Sequence, residues 1–489
     1  MFPGSRQDTR SSFRQRSYEV RRPGALFARL ALTFVVLMGA LLVGGANLAQ
    51  NVFTFRFLTG ALVVSRVQYD GNTFGNPNGY PYIFNDSSVS GVQGGIWLDQ
   101  YLTVPHSPRI GSLPLPVPST PTGTNGITTS FSSKSEGALM LSPNGHYLTY
   151  MGYAGPVGAE GVSNSYEAGF NLQPPVTPTY NREVALIAAN ASITLQPESN
   201  AYSGDNPRAA ITTDGTALYM AGNSDSTTYS NGTAGPGLTI GARLGAIGSS
   251  SSIQLGVYTA PDRPDESKKQ HLKDNNFRGI GIYNGNLYAS KGSGGNGDDG
   301  LFQVENGHGS GLPSGTGNTV VLLFGAPATN PTTGAASPFV PFGFWFASPT
   351  IVYVADEGYA NFDTNGNFIP DPYAGLEKWS SSDGTWTLLY TIQAGLNLYQ
   401  PQNIPGYPAP TYTTGIRNMT GKNNGNGTVT IYAITGQYST FSTGEPDPTR
   451  LVAVTDNLAA TSLPGGEQFT TLQQSAAGEV FRGVAFAPQ

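Results

Sequence analysis

The chain has 489 residues, of which only 11% are charged, against about 25% in an ordinary globular protein. Its net charge of −6 gives nucleic acid no basic footprint. The absence of cysteine excludes disulfides, thiolate metal sites and a cysteine nucleophile.

Arg10, Arg14, Arg16, Arg21, Arg22 and Arg29 precede an apolar run from Leu30 to about Ala46, with small residues Gly44, Gly45, Ala46 and Ala49 at its exit. That order predicts a secretory signal cleaved near Ala46 or Ala49, or an uncleaved membrane anchor, over residues 1–49. Pro23 and Gly24 make the Arg21-Arg22 pair a poor twin-arginine signal. The protein is expected to be secreted, periplasmic or on the cell surface. Residues 50–60 read as a spacer and 61–489 as one β domain.

Ala61 to Val67 and Gly95 to Leu102 read as the second and third strands of a four-stranded unit that lacks its first. Pro105 to Thr128 reads as a long Pro- and Ser-rich loop. Two further units begin at Glu136 and Pro207; the outer strands of the second are placed at Leu238 to Leu244 and Ile253 to Tyr258. The charge cluster from Asp262 to Asp274 reads as solvated surface. Phe277 to Gly325 then carries one complete unit, in which Asn284-Gly285 turns the first hairpin. The strand order repeats from Pro341 to Tyr390 and from Ile416 to Leu472. Phe481-Arg482-Gly483-Val484 repeats the Phe277-Arg278-Gly279-Ile280 pattern where the chain stops, so it is predicted to complete the N-terminal unit. The expected fold is therefore an all-β, six-bladed propeller closed by its C-terminal strand. Gln68 to Ser133 leaves room for a seventh blade.

The Phe-Arg-Gly-Val repeats, the Val-Tyr-Val-Ala-Asp strand at 352–356, Gly-Leu-Glu-Lys-Trp at 375–379 and the terminal Phe-Arg-Gly-Val-Ala-Phe-Ala-Pro resemble secreted bacterial β-propeller proteins. These are broadly similar to six-bladed propellers of the NHL and lactonase-like kind. The resemblance covers residues 61–489 and implies a fold, with no catalytic motif matched.

Aligning the six first strands puts Arg482, Glu136, Arg208, Arg278, Phe342 and Arg417 at one equivalent position around the channel. Such a ring could hold a carboxylate or phosphate. Alternatively, each arginine pairs with a carboxylate of a neighbouring blade, such as Asp356. Asp363, Asn365, Asn367, the Ile369 carbonyl and Asp371 space oxygen donors as calcium requires, although position 12 is Ala374 and the nearest further acid is Glu377. A metal-free turn is the competing reading. His106, His146, His271 and His308 show no zinc spacing, and Gly292 to Gly297 reads as a connector. Trp97, Trp345, Trp379 and Trp386 fall in strands, as core or as a sugar-stacking platform.

Two functions stand open on this sequence. One is an exported binding or scaffold protein that takes an anionic or carbohydrate ligand, or a protein, through one face of the channel. The other is a hydrolase or lyase for a lactone or polysaccharide, calcium-dependent or not, with Asp356, Glu357 or Glu136 as acid or base.

Overall fold

The computed structural model describes residues 55–489 except 69–91, 120–124, 131–132, 134, 160, 165–179, 200, 203–205, 224–237, 240–241, 259–275, 293–297, 308, 310, 328–338 and 440–446. The predicted signal or anchor, the 262–274 charge cluster, His271 and His308 lie outside the described residues.

Six antiparallel blades form a ring. Blade one takes Glu479–Phe486 as its inner strand, followed outward by Leu62–Gln68, Gln93–Tyr101 and Gly111–Pro114. The predicted pairing of the two chain ends is present, running from Leu62 opposite Phe486 to Gln68 opposite Glu479. The outer strand, however, falls inside the stretch read as a loop from Pro105 to Thr128. Four residues, Gly-Ser-Leu-Pro, are too few to show an alternating pattern.

Blade two runs Leu139–Leu141, Tyr147–Tyr153, Arg182–Ala188 and Ile193–Glu198, and blade three Pro207–Thr212, Ala217–Gly222, Ala242–Ala246 and Ile253–Gln254. Blade four comprises Phe277–Tyr283, Asn286–Lys291, Asp298–Glu305 and Asn318–Pro327; blade five Pro341–Ser348, Ile351–Asp356, Gly375–Ser382 and Thr385–Ile392. Blade six has Thr411–Asn423, Thr428–Ser439, Arg450–Asn457 and Thr470–Gln474. No seventh sheet occurs among the described residues. The outer strand predicted over Ile253 to Tyr258 is divided between two blades. Ile253–Gln254 stays on blade three, whereas Gly256–Tyr258 runs parallel to Asn318–Pro327 on blade four, with Leu238–Thr239 beyond it. Gly256 permits the second contact, since a Cβ there would lie 2.9 Å from Val320 Cγ2.

Local chemistry explains the repeat. Asn284 (φ 47°) and Gly285 (φ 75°) both occupy the left-handed region, as a two-residue hairpin matched to strand twist demands. The glycine of the repeated Arg-Gly pair is a close-approach position. A Cβ on Gly483 would lie 2.3 Å from Leu139 N, and one on Gly279 would lie 2.6 Å from Phe342 O. Second-strand hydroxyls bolt the same contacts: Ser65 Oγ donates to Gly137 O at 2.9 Å, and Ser290 Oγ donates to Phe342 O. The Asn418 side chain carries the bolt from blade six to Arg482 O of blade one at 2.8 Å.

Between blades the filling is apolar. Blades five and six bury Tyr353, Leu376, Ile392, Ile416, Ile431 and Val452 together. Trp379 stacks on Phe324 of blade four at 4.1 Å, and Trp386 lies 5.6 Å from the same ring, so these two tryptophans are interblade packing. The closure carries its own ionic clasp. Arg66 Nε donates to Asp99 Oδ2 at 2.6 Å and Arg66 Nη1 to Glu479 Oε1 at 3.0 Å, tying the C-terminal strand to the second and third strands of blade one.

Candidate functional site

The two ends of the propeller axis differ in chemistry. At the ends where the inner strands finish, Met140, Ile211, Ile282, Phe344, Met419 and Val484, one from each blade, are among the residues lining a funnel of about 220 Å³. Tight turns such as 284–285, 349–350 and 383–384 surround it. At the ends where the inner strands begin, the chain leaves the sheets at Gln68, Tyr153, Gly222, Asp356 and Ile392 and rejoins them at Gln93, Arg182, Ala242, Gly375 and Thr411. Loops on a rigid ring are where recognition is usually built.

The six predicted ring residues stand at this second end, and all are buried. Arg417 donates through Nη2 and Nε to Glu357 Oε1, at 2.8 and 3.2 Å. Its carboxylate partner is thus Glu357 and not the Asp356 weighed from the sequence. Arg278 reaches across to blade two, where Nη1 donates to Ser135 Oγ, and its guanidinium lies 4.9 Å from the Phe342 ring centroid. Arg208 Nη2 donates to Asn276 Oδ1 at 2.9 Å. Arg482 lies beside Tyr150, whose hydroxyl pKa is pushed up by burial while the arginine works against the rise. Glu136 accepts from Tyr153 Oη (2.6 Å), Asn206 Nδ2 (2.7 Å), Thr129 Oγ1 (2.8 Å) and Ser130 N (3.0 Å). The ring couples blades two, three, four, five and six around one end of the axis.

Asp356 belongs to a different group. Fully buried, it accepts from Val340 N at 2.6 Å and Gly358 N at 2.7 Å. Burial, with the nearby Asp371 charge second, holds its pKa well above the usual carboxylate range. Glu377 is raised in the same way, by burial and then by Asp356, although Trp379 Nε1 donates to it at 2.7 Å.

The donors predicted for calcium do not converge. Asp363 Oδ1 accepts from Asn365 N and Asn367 N, both at 2.8 Å, and its Oδ2 accepts the Asn367 side-chain NH₂ at 3.1 Å. Asn367 therefore offers that carboxylate a donor where a cation would need its oxygen. Asp371 is turned away, accepting from Tyr373 N at 2.9 Å and Tyr359 N at 3.2 Å, and the Ile369 side chain is exposed. No group of three acidic or histidine ligands occurs among the described residues. The arrangement fits a self-satisfied turn and does not fit a calcium shell.

Three features escaped the sequence reading. Lys378, fully buried, donates to Asp456 Oδ2 and Tyr390 Oη, each at 2.9 Å, while both Tyr353 and Tyr390 donate to Asp456, locking blade five to blade six. Alternating strand patterns do not distinguish a buried lysine from a solvated one. The second is Glu183, also fully buried, which meets no donor at either carboxylate oxygen. Burial, with Glu198 second, pushes its pKa from 4.5 to about 9. Its contribution to stability is whole below about pH 4.5 and is lost as pH rises toward 9, because the folded chain holds the proton that the unfolded chain releases. Glu183→Gln is expected to stabilise the protein by about 2 kcal/mol at pH 7 and to flatten that fall. Denaturant titrations at pH 5, 7 and 9 measure this, and parallel curves for variant and wild type would refute it.

The third feature is a surface of aromatic rings on the loop-bearing end. Phe368 lies 5.2 Å from Tyr399, 4.9 Å from Tyr412 and 5.9 Å from Tyr438, and Phe362 lies 4.6 Å from Phe368 and 5.5 Å from Tyr438. None of the five is fully buried. They come from the 357–374 and 393–410 connections and from the first two strands of blade six, which is why no local motif announced them.

No family model matches the chain, and no curated protein does. Solved structures similar to it include a polysaccharide lyase of family PL25, an ulvan lyase, at 10% identity and TM-score 0.33, with 86% of this chain and 87% of that one covered. AztD from Citrobacter koseri aligns at 7% identity and TM-score 0.27 over 88% of this chain and 98% of its own. Hydrazine synthase of Kuenenia stuttgartiensis aligns at 9% identity and TM-score 0.31 over 69% of this chain, which spans 66% of that one, just under two thirds. Likenesses at these levels bear on no activity.

Proposed function

We propose that the chain is an exported binding or scaffold protein. In this reading the buried charged ring holds the blades together and the surrounding loops contact the ligand or partner. The observation that carries the reading is the occupancy of the ring. Arg417 is spent on Glu357, Arg278 on Ser135 and the Phe342 face, and Arg208 on Asn276, and all three side chains are buried. The acids considered for catalysis are engaged likewise. Glu136 and Asp356 hold N–H and O–H donors, and Glu357 holds an arginine. Export rests on the arginine-rich, then apolar, N-terminal order of the sequence.

The test is an anion titration of thermal stability. A ligand that binds only the folded state raises the melting temperature with its concentration. Citrate, phosphate and acetate at matched ionic strength are expected to leave the midpoint unchanged. A saturable rise with any of them, lost in Arg278→Gln, would overturn the scaffold role of the ring.

A further inference from the structure

The geometry points to the aromatic surface formed by Phe362, Phe368, Tyr399, Tyr412 and Tyr438 as a subsite for the sugar rings of an uncharged oligosaccharide. This inference rests on the reading of the loop-bearing end as the binding face.

Exposure is the first observation. Phe362 is 41% exposed, and Phe368 and the three tyrosines are each half-buried, although they could be covered by one another. Phe368 lies against the other four rings, and five residues so linked that all stay in contact with water differ from a satellite core, where burial would be complete. The backbone fixes one of them at a cost. Tyr399 has φ 59° and Asn397 φ 53°, in the left-handed region that bulky residues avoid. The strained turn is held by Tyr399 N donating to Thr413 O at 2.9 Å, which sets the ring over blade six.

Charge identifies the ligand class. Residues 393–416 and 428–439 contain no Asp, Glu, Lys or Arg. In the hairpin, the exposed acid Asp363 is consumed by its own turn, and residues 357–374 contain no Lys or Arg. A surface without cations gives no purchase to a uronate, sulfate or phosphate. The segments that carry Phe362, Phe368 and Tyr399 also carry neutral polar side chains: Asn361, Asn365, Asn367, Asn397, Gln400 and Asn403 are all exposed. Amides both donate and accept, as sugar hydroxyls do. A pyranose also presents a face of C–H bonds with partial positive charge to the electron-rich face of an aromatic ring. Rings for the C–H face and amides for the hydroxyls are together the complement of an uncharged sugar.

The test is calorimetric titration of the full chain with cellohexaose, mannohexaose and laminarihexaose, and with hexagalacturonate as a charged probe. At least one uncharged hexasaccharide is expected to bind, with little dependence on salt. Phe362→Ala, which removes the most exposed ring, should weaken that binding by about three- to tenfold. Asn365→Ala serves as a second variant that leaves the ring cluster intact, with the same direction of effect. Binding of hexagalacturonate alone, or uncharged binding that survives Phe362→Ala and Asn365→Ala, would overturn the inference. If such surviving binding is lost on shortening the 154–181 connection, the loop-bearing end remains the binding face and the aromatic subsite alone is refuted. No binding of any uncharged probe also refutes the subsite, while the anion titration still judges the role of the ring.

Discussion

A chain truncated before Phe481 is expected to lose cooperative folding altogether. The residues removed form most of the inner strand of blade one, where Phe481, Val484 and Ala485 are at most 3% exposed, and the buried Ala487 just beyond it. Burying a large apolar side chain contributes about 1.5–3 kcal/mol, so these side chains and the partners they uncover rival the roughly 5–15 kcal/mol that separates a folded domain from its unfolded state. Polar losses add to this. Asn418 would lose the Arg482 carbonyl, and Ser65 would lose the Gly483 N–H that donates to it at 2.8 Å. The ring would also open, exposing the inner edges of Leu62–Gln68 and of its neighbours to edge pairing. Urea unfolding followed by circular dichroism, with size-exclusion chromatography, measures the effect. A truncated monomer with the midpoint and slope of the full chain would refute the closure.

The fold was legible because the four-strand order returns along the chain and blades four and one solve the same local conflict in the same way. Arg278-Gly279 and Arg482-Gly483 recur since the glycine must admit the backbone of the next blade, and that demand is visible in any single copy. Asn284-Gly285 was legible for the same reason, its turn being decided by two residues. Boundaries set by neighbours were not. Leu255 parts two sheets because Gly256 meets Val320, a contact more than sixty positions away along the chain.

The candidate site divides along the same line. The ring was found by aligning repeats, yet its partners were not, because Asp356 ends its strand on main-chain donors while the adjacent Glu357, just past the strand, meets Arg417. The spacing of Asp363, Asn365, Asn367 and Asp371 suits a cation in one dimension. It carries no information on whether Asn367 turns its NH₂ or its oxygen toward Asp363. The aromatic surface draws on segments as far apart as Phe362 and Tyr438, so only the folded ring brings it together.

Replacing Arg278 and Arg417 together by Gln should destabilise the protein by roughly 3–5 kcal/mol or more, since removing one partner of a buried pair leaves the other charge uncompensated. Glu357, 3% exposed, would keep its carboxylate without the guanidinium that donates to it twice. Glutamine at 417 could supply at most one weaker, neutral donor. At 278 the loss is of another kind. The guanidinium spans from Ser135 in blade two to the face of Phe342 in blade five, so the substitution removes a contact across the axis as well as a cation over a ring. Both sites meet at blade five, where Phe342 faces Arg278 and a Cβ on the next residue, Gly343, would lie 2.9 Å from Arg417 O, so the single variants are needed beside the double one to measure their coupling. A cluster of like charges held open for a ligand would behave in the opposite way, gaining stability when the repulsion is relieved. Thermal and denaturant unfolding of the double variant beside the two single ones separates these cases. Unchanged or raised midpoints would show the arginines to be reserved for a ligand, whereas a large loss, greatest in the variants that carry Arg417→Gln, assigns them to the architecture and leaves recognition to the loops above.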